Sequence, residues 1–403
     1  MVNEYTESKY RWYVLSLCTL TMAFSMAIPN ICMPVLFNEI AADLRLNLVQ
    51  VGWIWGFSLA SGLLTVLVAG ILADRIGTKC ILIFACSMVG FAGASRGLAN
   101  DFAGLLFTTF LFSIITGVVP SSTFKVIATQ FSSRQLGLSI GIMATGGGVG
   151  FTLSSMFSAT LLSPMLGGWR RVLFLYGAIS VFIAFLWFLT IKEQQQAGST
   201  RAGSRLTSRE AIYNVLGNKN VWLISLAMLG YMGCIEGMSG YLPLYLREFK
   251  GWLPASADGS LATFTGISTL GVIPISILSD RLGKRKIFIL SINTMATIGL
   301  ALLSVAEGAA IWVLIVLIGI GRDGLIALAC TSAIESKGIG ALYSGTATGL
   351  LQTIIRIGMF ISPPIGNSMA SHGSGLPFIM WAAFGTFALV CFFLANETGH
   401  RQI

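Results

Sequence analysis

Charged residues are scarce in this chain of 403 residues, which has 25 Lys and Arg, 16 Asp and Glu, and two His. Soluble domains carry about 25% charged residues, whereas this chain has 10%, together with 55% hydrophobic residues. The composition excludes an ordinary soluble protein and predicts an integral membrane protein. The net charge of +9 does not indicate a nucleic-acid partner, because the cations lie in short turns between apolar segments, where they mark membrane topology.

Patterns typical of catalysis and metal binding are also missing. His372 lies near the end of an apolar segment and His400 lies in the C-terminal tail, and no phosphate-binding Gly-x-x-x-x-Gly-Lys-Ser/Thr loop occurs. The seven cysteines fall almost entirely inside apolar runs without metal-type spacing, which is typical of small core residues. We expect no enzyme, no cofactor and no metal. A membrane enzyme or receptor is the alternative, and it would be favoured by an absence of solute flux.

Long apolar runs are abundant. A membrane-spanning helix needs about 20 mainly apolar residues, and the chain has twelve such segments. They are 11–37, 50–72, 80–97, 103–127, 136–162 and 172–191, then 219–246, 258–279, 286–306, 310–333, 342–370 and 376–395. The first segment is too long for the core of a signal peptide and follows a leader with Glu4 and Glu7, so we expect it to be retained. The sequence predicts an all-α membrane protein with twelve transmembrane helices in two six-helix bundles.

The distribution of Lys and Arg predicts the topology. An even number of spans places both termini on one side of the membrane. Sixteen cations lie on that side: Lys9, Arg11, Arg75, Lys79, Arg134, Lys192, Arg201, Arg205, Arg209, Lys219, Arg281, Lys284, Arg285, Lys286, Lys337 and Arg401. Six lie on the other: Arg45, Arg96, Arg170, Arg171, Arg247 and Lys250. Because cytoplasmic loops are enriched in Lys and Arg, we predict cytoplasmic termini in a multi-pass protein of the inner (plasma) membrane.

The longest polar connection, 192–218, is rich in Gln, Ser, Gly and Arg. It predicts a cytoplasmic linker between an N-terminal bundle, 1–191, and a C-terminal bundle, 219–403. Thr207 and Glu210 form a capping-box pattern within this linker, which predicts a short surface helix.

A ten-residue stretch occurs once in each half, at the end of an apolar segment. The copies read GILADRIGTK and SILSDRLGKR, and Asp74 and Asp280 within them are about 206 residues apart (280 minus 74). Pro34 matches Pro243 at nearly the same separation. The matching glycines are Gly137, Gly141 and Gly150 in the first half and Gly345, Gly349 and Gly358 in the second. This register predicts a tandem repeat with two pseudo-symmetric bundles, which is typical of carriers whose halves rock against each other.

The twelve spans, the loop Gly-x-x-x-Asp-Arg-x-Gly-x-Lys after the second span and its echo after the eighth resemble the major facilitator superfamily. The resemblance covers nearly the whole chain and implies a secondary active transporter with alternating access. It also implies a cytoplasmic gate formed by Asp74, Arg75, Gly77, Lys79, Asp280, Arg281 and Gly283, because a carboxylate at a helix end can pair and unpair with a cation. The sequence departs from the family pattern at Thr78 and Ser276. Charges that only set topology are the alternative.

Two glycine-rich stretches bear on the solute. Gly167–Arg171 reads GGWRR and resembles a turn in carriers of monocarboxylates, cyanate and other small anions. Gly146–Gly150 reads GGGVG and lacks the glycine-proline motif that many proton-driven drug exporters carry in the fifth span. The resemblance implies proton-coupled symport of a small organic or inorganic anion by a monomer. Proton-coupled export of amphipathic or cationic compounds is the alternative.

Five ionisable residues lie inside predicted spans, where a charge is costly and marks a solute path or a proton relay. They are Lys125, Glu236, Arg322, Asp323 and Arg356. Three are positive and two negative, and buried charges are normally paired. We therefore predict a monovalent anionic substrate as the missing partner of one cation. The alternative is that the arginines and acids form permanent structural pairs and that Lys125 belongs to the gate.

The depths of the two arginines favour contact with a solute. Arg322 and Arg356 lie about 18 to 21 Å into their spans, near the middle of a hydrocarbon core about 30 Å thick. A guanidinium group offers a planar fork of donors that fits a carboxylate. Lys125, closer to the cytoplasmic loop, is predicted either in the substrate site or in the gate, and Gln352 and Asn30 are predicted to supply neutral hydrogen bonds.

Glu236 is predicted to carry the coupled proton, with Asp323 as the second candidate. The neighbouring Gly233, Gly237 and Gly240 predict a helix that bends easily around this carboxylate. Further pairs of glycines four residues apart predict close approach of helix backbones. They occur at 52/56, 137/141, 146/150 and 345/349.

Overall fold

The computed structural model describes residues 2–59, 78–131, 133–190 and 213–398. The first half forms α1 (Val2–Thr21), α2 (Ile28–Leu44), α3 (Leu48–Leu59), α4 (Thr78–Ser95), α5 (Phe102–Thr116), α6 (Val118–Gln130), α7 (Ser133–Phe157), α8 (Ser163–Leu166) and α9 (Trp169–Thr190). The second half forms α10 (Lys219–Glu248), α11 (Pro254–Leu282), α12 (Arg285–Leu303), α13 (Ala309–Ile320), α14 (Arg322–Ile334), α15 (Gly340–Ser368) and α16 (Leu376–Leu394). Wide π-helical turns occupy Met22–Ala27 and Ser158–Leu162, and 3-10 turns occupy Arg96–Leu98 and Met369–Ser371.

These helices account for the twelve predicted spans. Ten helical stretches within the described residues are long and apolar enough to cross a membrane, and α3 is a shorter apolar helix. The rest of the second predicted span, 60–72, lies outside the described residues. α15 has 29 residues, enough to cross a membrane, but Gln352 and Arg356 make it more polar than the others. The predicted all-α membrane fold is confirmed.

The first span is one long helical run with a wide turn inside it. α1 continues through Met22–Ala27 into α2, which has Pro29 in its first turn and Pro34 in its interior. Proline has no N–H to donate to the carbonyl four residues earlier. A π-helical turn before Pro29 accommodates the missing hydrogen bond without ending the helix.

The fourth and tenth predicted spans are each broken at a glycine. α5 ends at Gly117, three residues before Pro120, and α13 ends at Gly321, directly before Arg322. Pro120 cannot donate to the carbonyl of Thr116, which explains the first break. At the second break Gly321 packs against α12, since a Cβ on it would lie 2.3 Å from the side chain of Ile292.

Contacts divide the chain into two compact units. The first comprises Met1–Asn47, Phe57–Ser199 and Trp252–Ala262, and the second comprises Leu48–Gly56, Thr200–Gly251 and Thr263–Ile403. Each unit thus contains one short segment from the other half of the sequence. The predicted linker, with its capping box at Thr207 and Glu210, falls largely on residues 191–212, which lie outside the described residues.

Paired glycines pack closely in only some of the predicted places. In the first unit, Cβ atoms on Gly146 and Gly150 of α7 would lie 2.4 Å from Thr19 and 2.9 Å from Ala23. Close helix packing therefore requires glycine at both positions. In contrast, Cβ atoms built at Gly141, Gly345 and Gly349 meet nothing within 4 Å among the described residues. Among the described residues, no atom outside their own helices makes the predicted close approach to these three glycines.

Candidate functional site

Three of the five predicted intramembrane ionisable residues meet in the second unit. Arg322 donates from Nη2 to Oε1 of Glu236 at 2.5 Å and from Nη1 to Oδ1 of Asp323 at 3.3 Å. The side chains of Glu236, Arg322 and Asp323 are 5%, 16% and 32% exposed. We refer to Glu236, Arg322 and Asp323 as the ion cluster. Two helices build it, because Glu236 lies on α10 and the other two residues begin α14.

The break at Gly321 places Arg322 and Asp323 at the start of a helix. The N–H of Asp323 lies in the first turn of α14 and is 3.3 Å from the hydroxyl oxygen of Ser268 on α11. A carboxylate in the first turn of a helix is stabilised by the helix dipole. The sequence predicted the depth of this pair but not the break, which turns the residues into the start of a new helix.

The helix around Glu236 is continuous, and its glycines serve packing. α10 runs unbroken from Lys219 to Glu248. A Cβ on Gly237 would lie 2.2 Å from the indole of Trp381, and a Cβ on Gly240 would lie 2.3 Å from the indole of Trp55. These glycines are required because large rings lie against them. Packing against these rings explains glycine at both positions, and the predicted ease of bending stays a prediction.

Aromatic and hydroxyl groups surround the ion cluster. The guanidinium carbon of Arg322 lies 5.7 Å from the centre of the Phe264 ring, within the range of a cation–π contact. The hydroxyl of Ser239 lies 3.3 Å from Oε2 of Glu236. Tyr231 is fully buried near Arg322 and Asp323, and its hydroxyl has no hydrogen-bond partner among the described residues.

The buried hydroxyl of Tyr231 yields a stability prediction. Burying a hydroxyl without a hydrogen bond costs about 1–3 kcal/mol, so we expect Tyr231→Phe to leave the melting temperature unchanged or to raise it. Tyr176→Phe is the matched control, because the hydroxyls of Tyr176 and Ser158 are hydrogen-bonded at 2.7 Å. Thermal unfolding of both purified variants tests the prediction, and an equal loss of stability in the two would contradict it.

The ion cluster contains three of the five charges whose predicted sum left one surplus cation. The sequence predicted a surplus cation available to a substrate, with Arg322 among its candidates. In the structure both predicted acids contact Arg322, so its charge is compensated by the protein. The cluster has one cation and two carboxylates, and when both acids are ionised its surplus charge is negative. The ion cluster therefore offers no surplus cation to an anionic solute.

The other predicted solute ligands lie outside the ion cluster. Arg356 is half-buried and Gln352 is exposed, one turn apart on the same face of α15. Asn30 is half-buried on α2 and donates to the carbonyl of Met26 at 2.7 Å, so one of its donors is used within its own helix. Lys125 is half-buried on α6. Their roles toward a solute remain predictions.

The predicted gate is described only in part. Asp74, Arg75 and Gly77 lie outside the described residues, as does the side chain of Asp280. Lys79 lies in the first turn of α4 and is half-buried. In the second copy, Arg281 is exposed and Gly283, with φ 58°, ends α11. A positive φ is accessible mainly to glycine, which explains the residue at this turn.

Sequence reasoning missed the ion pair beside the second copy. Arg285, the last residue of the repeated stretch, donates to both carboxylate oxygens of Glu335 at 2.6 and 2.8 Å. The carboxylate of Glu397 accepts from the backbone N–H groups of Arg285 and Lys286 at the start of α12. Such a carboxylate caps the N-terminus of the helix and interacts favourably with the helix dipole. The one signal in the sequence was Glu335, an isolated acid directly after an apolar span.

Arg96, which the sequence analysis placed at the end of the predicted span 80–97 and counted among the six cations on the non-cytoplasmic side, is buried. It follows α4 in the first unit, is 1% exposed, and donates to the carbonyl of Pro29 at 3.0 Å. Its guanidinium carbon lies 3.7 Å from the centre of the Phe112 ring. Within the described residues no carboxylate pairs with it, so a carbonyl and an aromatic face stabilise its charge. The surrounding sequence reads GASRGL, which resembles a loop and provided no signal.

The GGWRR turn has a structural explanation. Gly167 and Gly168, with φ 82° and 121°, form the turn between α8 and α9. Asp43 at the end of α2 accepts from Nε1 of Trp169 at 3.0 Å and also pairs with Arg170. These contacts fix the start of α9 against the end of α2, so the motif is accounted for without a solute.

The family follows from comparison with known proteins. The family model described as Major Facilitator Superfamily matches residues 15–363. The chain belongs to the Major Facilitator Superfamily. It is therefore a transporter rather than an enzyme, and a multi-pass membrane protein.

Curated relatives of this superfamily member include transporters of anions. A gallate transporter of Pseudomonas putida is 24% identical over 98% of this chain and 93% of its own length. A 3-(3-hydroxy-phenyl)propionate transporter of Escherichia coli is 24% identical over 85% of this chain and 83% of its own length. A probable nitrate/nitrite antiporter of Thermus thermophilus is 27% identical, but this match spans only 66% of this chain and 61% of that protein.

Solved structures of other transporters share the fold. A bacterial homolog of the human lysosomal transporter Spinster superposes with a TM-score of 0.82 over 96% of this chain and 97% of its own, at 17% identity. A nucleoside transporter superposes with a TM-score of 0.78 over 94% of this chain and 98% of its own, at 12% identity. At these identities the likeness establishes the fold and nothing finer.

Proposed function

We propose that this protein is a secondary active transporter that works by alternating access and imports a small organic or inorganic anion together with protons. The observation that carries the proposal is the similarity, over most of the chain, to transporters of gallate and of a hydroxyphenylpropionate. Both of those solutes are carboxylates, and the nitrate/nitrite antiporter adds an inorganic anion. The proposed membrane is the inner membrane, with cytoplasmic termini, as the distribution of Lys and Arg predicts.

The ion cluster supports proton coupling. Glu236 is almost fully buried and pairs with Arg322, while the more exposed Asp323 shares the same guanidinium group. We assign the transported proton to Glu236, with Asp323 as the second carboxylate of the relay. Arg322 is the counter-ion of both rather than a ligand of the solute. A proton entering the cluster removes its surplus negative charge, and proton entry and exit thereby change the contacts between α10 and α14.

Arg356 is the proposed anion ligand. It lies midway along α15 and shares a face with the exposed Gln352. Its guanidinium group and the amide of Gln352 offer donors to a carboxylate or a nitrate. Asn30 remains a proposed secondary contact, and Lys125 is proposed either in the substrate site or in the gate. The proposed cytoplasmic gate consists of Asp74, Arg75, Gly77, Lys79, Asp280, Arg281 and Gly283.

Flux measurements test this function. Purified protein in proteoliposomes with an inward proton gradient is assayed with nitrate, gallate and 3-(3-hydroxyphenyl)propionate, and with tetraphenylphosphonium as a lipophilic cation. We expect gradient-dependent uptake of at least one anion and none of the cation. The surplus negative charge of the ion cluster favours the second candidate function, export of cationic compounds. Gradient-driven loss of tetraphenylphosphonium from preloaded proteoliposomes, without uptake of any anion, would establish that function instead.

Arg356→Ala provides the residue-level test. Hydrogen bonds to charged groups contribute about 1.5–3 kcal/mol, so we expect KM for the transported anion to rise about tenfold or more. Lys250→Ala is the control, because Lys250 pairs with the highly exposed Glu307 at 3.4 Å and should leave KM unchanged. An unchanged KM in Arg356→Ala would remove Arg356 from the site.

A further inference from the structure

The start of α3 docks into the second unit although it belongs to the first half of the sequence. We call Leu48–Gly56 the docking arm. A Cβ on Gly52 would lie 2.8 Å from the backbone of Pro363 on α15, and a Cβ on Gly56 would lie 2.3 Å from the carbonyl oxygen of Phe360. The arm therefore packs backbone against backbone, which only glycines at these positions allow.

Trp55 connects the docking arm to α10. Its side chain is almost fully buried, and its indole N–H donates to the main-chain carbonyl of Glu236 at 2.8 Å. The ring lies on Gly240, where a Cβ would come within 2.3 Å of it. Any side chain at position 240 would displace the ring, so the surface that receives Trp55 depends on glycine.

Glu236 consequently makes two connections at once. Its main-chain oxygen accepts from Trp55 of the docking arm, and its carboxylate accepts from Arg322 at 2.5 Å. A movement of α10 at this residue changes both hydrogen bonds together. The contact that holds the arm and the contact that holds the buried charge therefore share one residue.

We propose that Trp55 is a positioning residue that couples docking of the arm to the ion pair between Glu236 and Arg322. The inference rests on the alternating-access function proposed above, in which α3 must move relative to α10 and α15 during transport. Loss of the ion pair weakens docking of the arm, and undocking of the arm weakens the ion pair between Glu236 and Arg322. Such coupling is reciprocal, because each contact changes the stability of the other by the same factor.

Trp381 offers a matched comparison within the same unit. Its indole ring lies against Gly237 of α10, one helical turn from the ring of Trp55, and it donates to the carbonyl of Ser362 at 3.2 Å. It belongs to α16, from the second half of the sequence. Replacing either tryptophan by phenylalanine removes one buried indole hydrogen bond, but only that of Trp55 reaches Glu236.

Hydrogen–deuterium exchange of the full chain in nanodiscs, without solute, tests the coupling. The proteins compared are the wild type, Trp55→Phe, Glu236→Gln and the double variant. We expect each single change to speed amide exchange in 48–56 about three- to tenfold, the usual effect of one hydrogen bond. The double variant should exchange no faster than the faster single variant, since both changes act through one contact.

The control is the double variant that combines Trp381→Phe with Glu236→Gln. The effects of these two changes on the amide exchange rates of 48–56 should be independent of each other. The proposal is overturned if the effects of Trp55→Phe and Glu236→Gln multiply, or if Glu236→Gln leaves exchange of the arm unchanged. Should Trp55→Phe fail to fold, Gly240→Ala replaces it, because the added methyl displaces the ring while leaving the side chains of Trp55 and Glu236 intact. No solute enters this experiment, so its outcome and that of the flux assays are distinguishable.

Discussion

Glu236→Gln is expected to abolish proton-driven accumulation of the solute. The glutamine side chain is as large as the glutamate side chain and can keep a hydrogen bond to Arg322, but it cannot take up or release a proton at physiological pH. Uptake should then be the same with and without an inward proton gradient, whereas exchange of labelled for unlabelled solute across the vesicle membrane should continue. Both rates are measured in proteoliposomes with the anion that the wild type transports.

Glu248→Gln is the control for this change, because Glu248 is exposed at the end of the same helix. It should retain full dependence on the proton gradient. If Glu236→Gln also retained that dependence, Glu236 would not carry the coupled proton. Asp323 would then be assigned that role, and Asp323→Asn would be the next variant to measure.

Arg322→Ala should destabilise the protein more than any other single change in the ion cluster. It removes the cation that contacts both Glu236 and Asp323 and leaves Glu236 buried at 5% exposure. Breaking a buried ion pair by removing one partner costs about 3–5 kcal/mol, which lowers the melting temperature by several degrees. Thermal unfolding of the detergent-purified protein measures the loss, and transport should disappear with it.

A second change separates charge from packing at this site. Adding Glu236→Gln to Arg322→Ala removes the unpaired buried carboxylate, so the double variant should be more stable than Arg322→Ala alone. Arg285→Ala is the matched control, because it breaks the bidentate pair with Glu335 at a helix end and should leave gradient-driven uptake intact. A double variant less stable than Arg322→Ala would show that Arg322 acts through packing rather than charge.

Much of the architecture could be read from the residues. Apolar runs of about 20 residues have few stable alternatives to a spanning helix, and the duplicated stretches around Asp74 and Asp280 revealed the repeat. The same reasoning located Glu236, Arg322 and Asp323 as costly charges inside spans. It did not find Arg96, because a cation flanked by small residues at the end of an apolar run reads as a loop.

The sequence by itself determined the class, the number of spans and the identity of the intramembrane charges, because hydropathy and the cost of burying charge are local properties of the chain. Only the tertiary structure decided which charges pair, and it assigned both acids to Arg322 rather than dividing them between two arginines. It also decided that Trp55 lies on Gly240 beside Glu236. Residues 181 positions apart meet there, and such contacts depend on how helices pack, which no local pattern encodes.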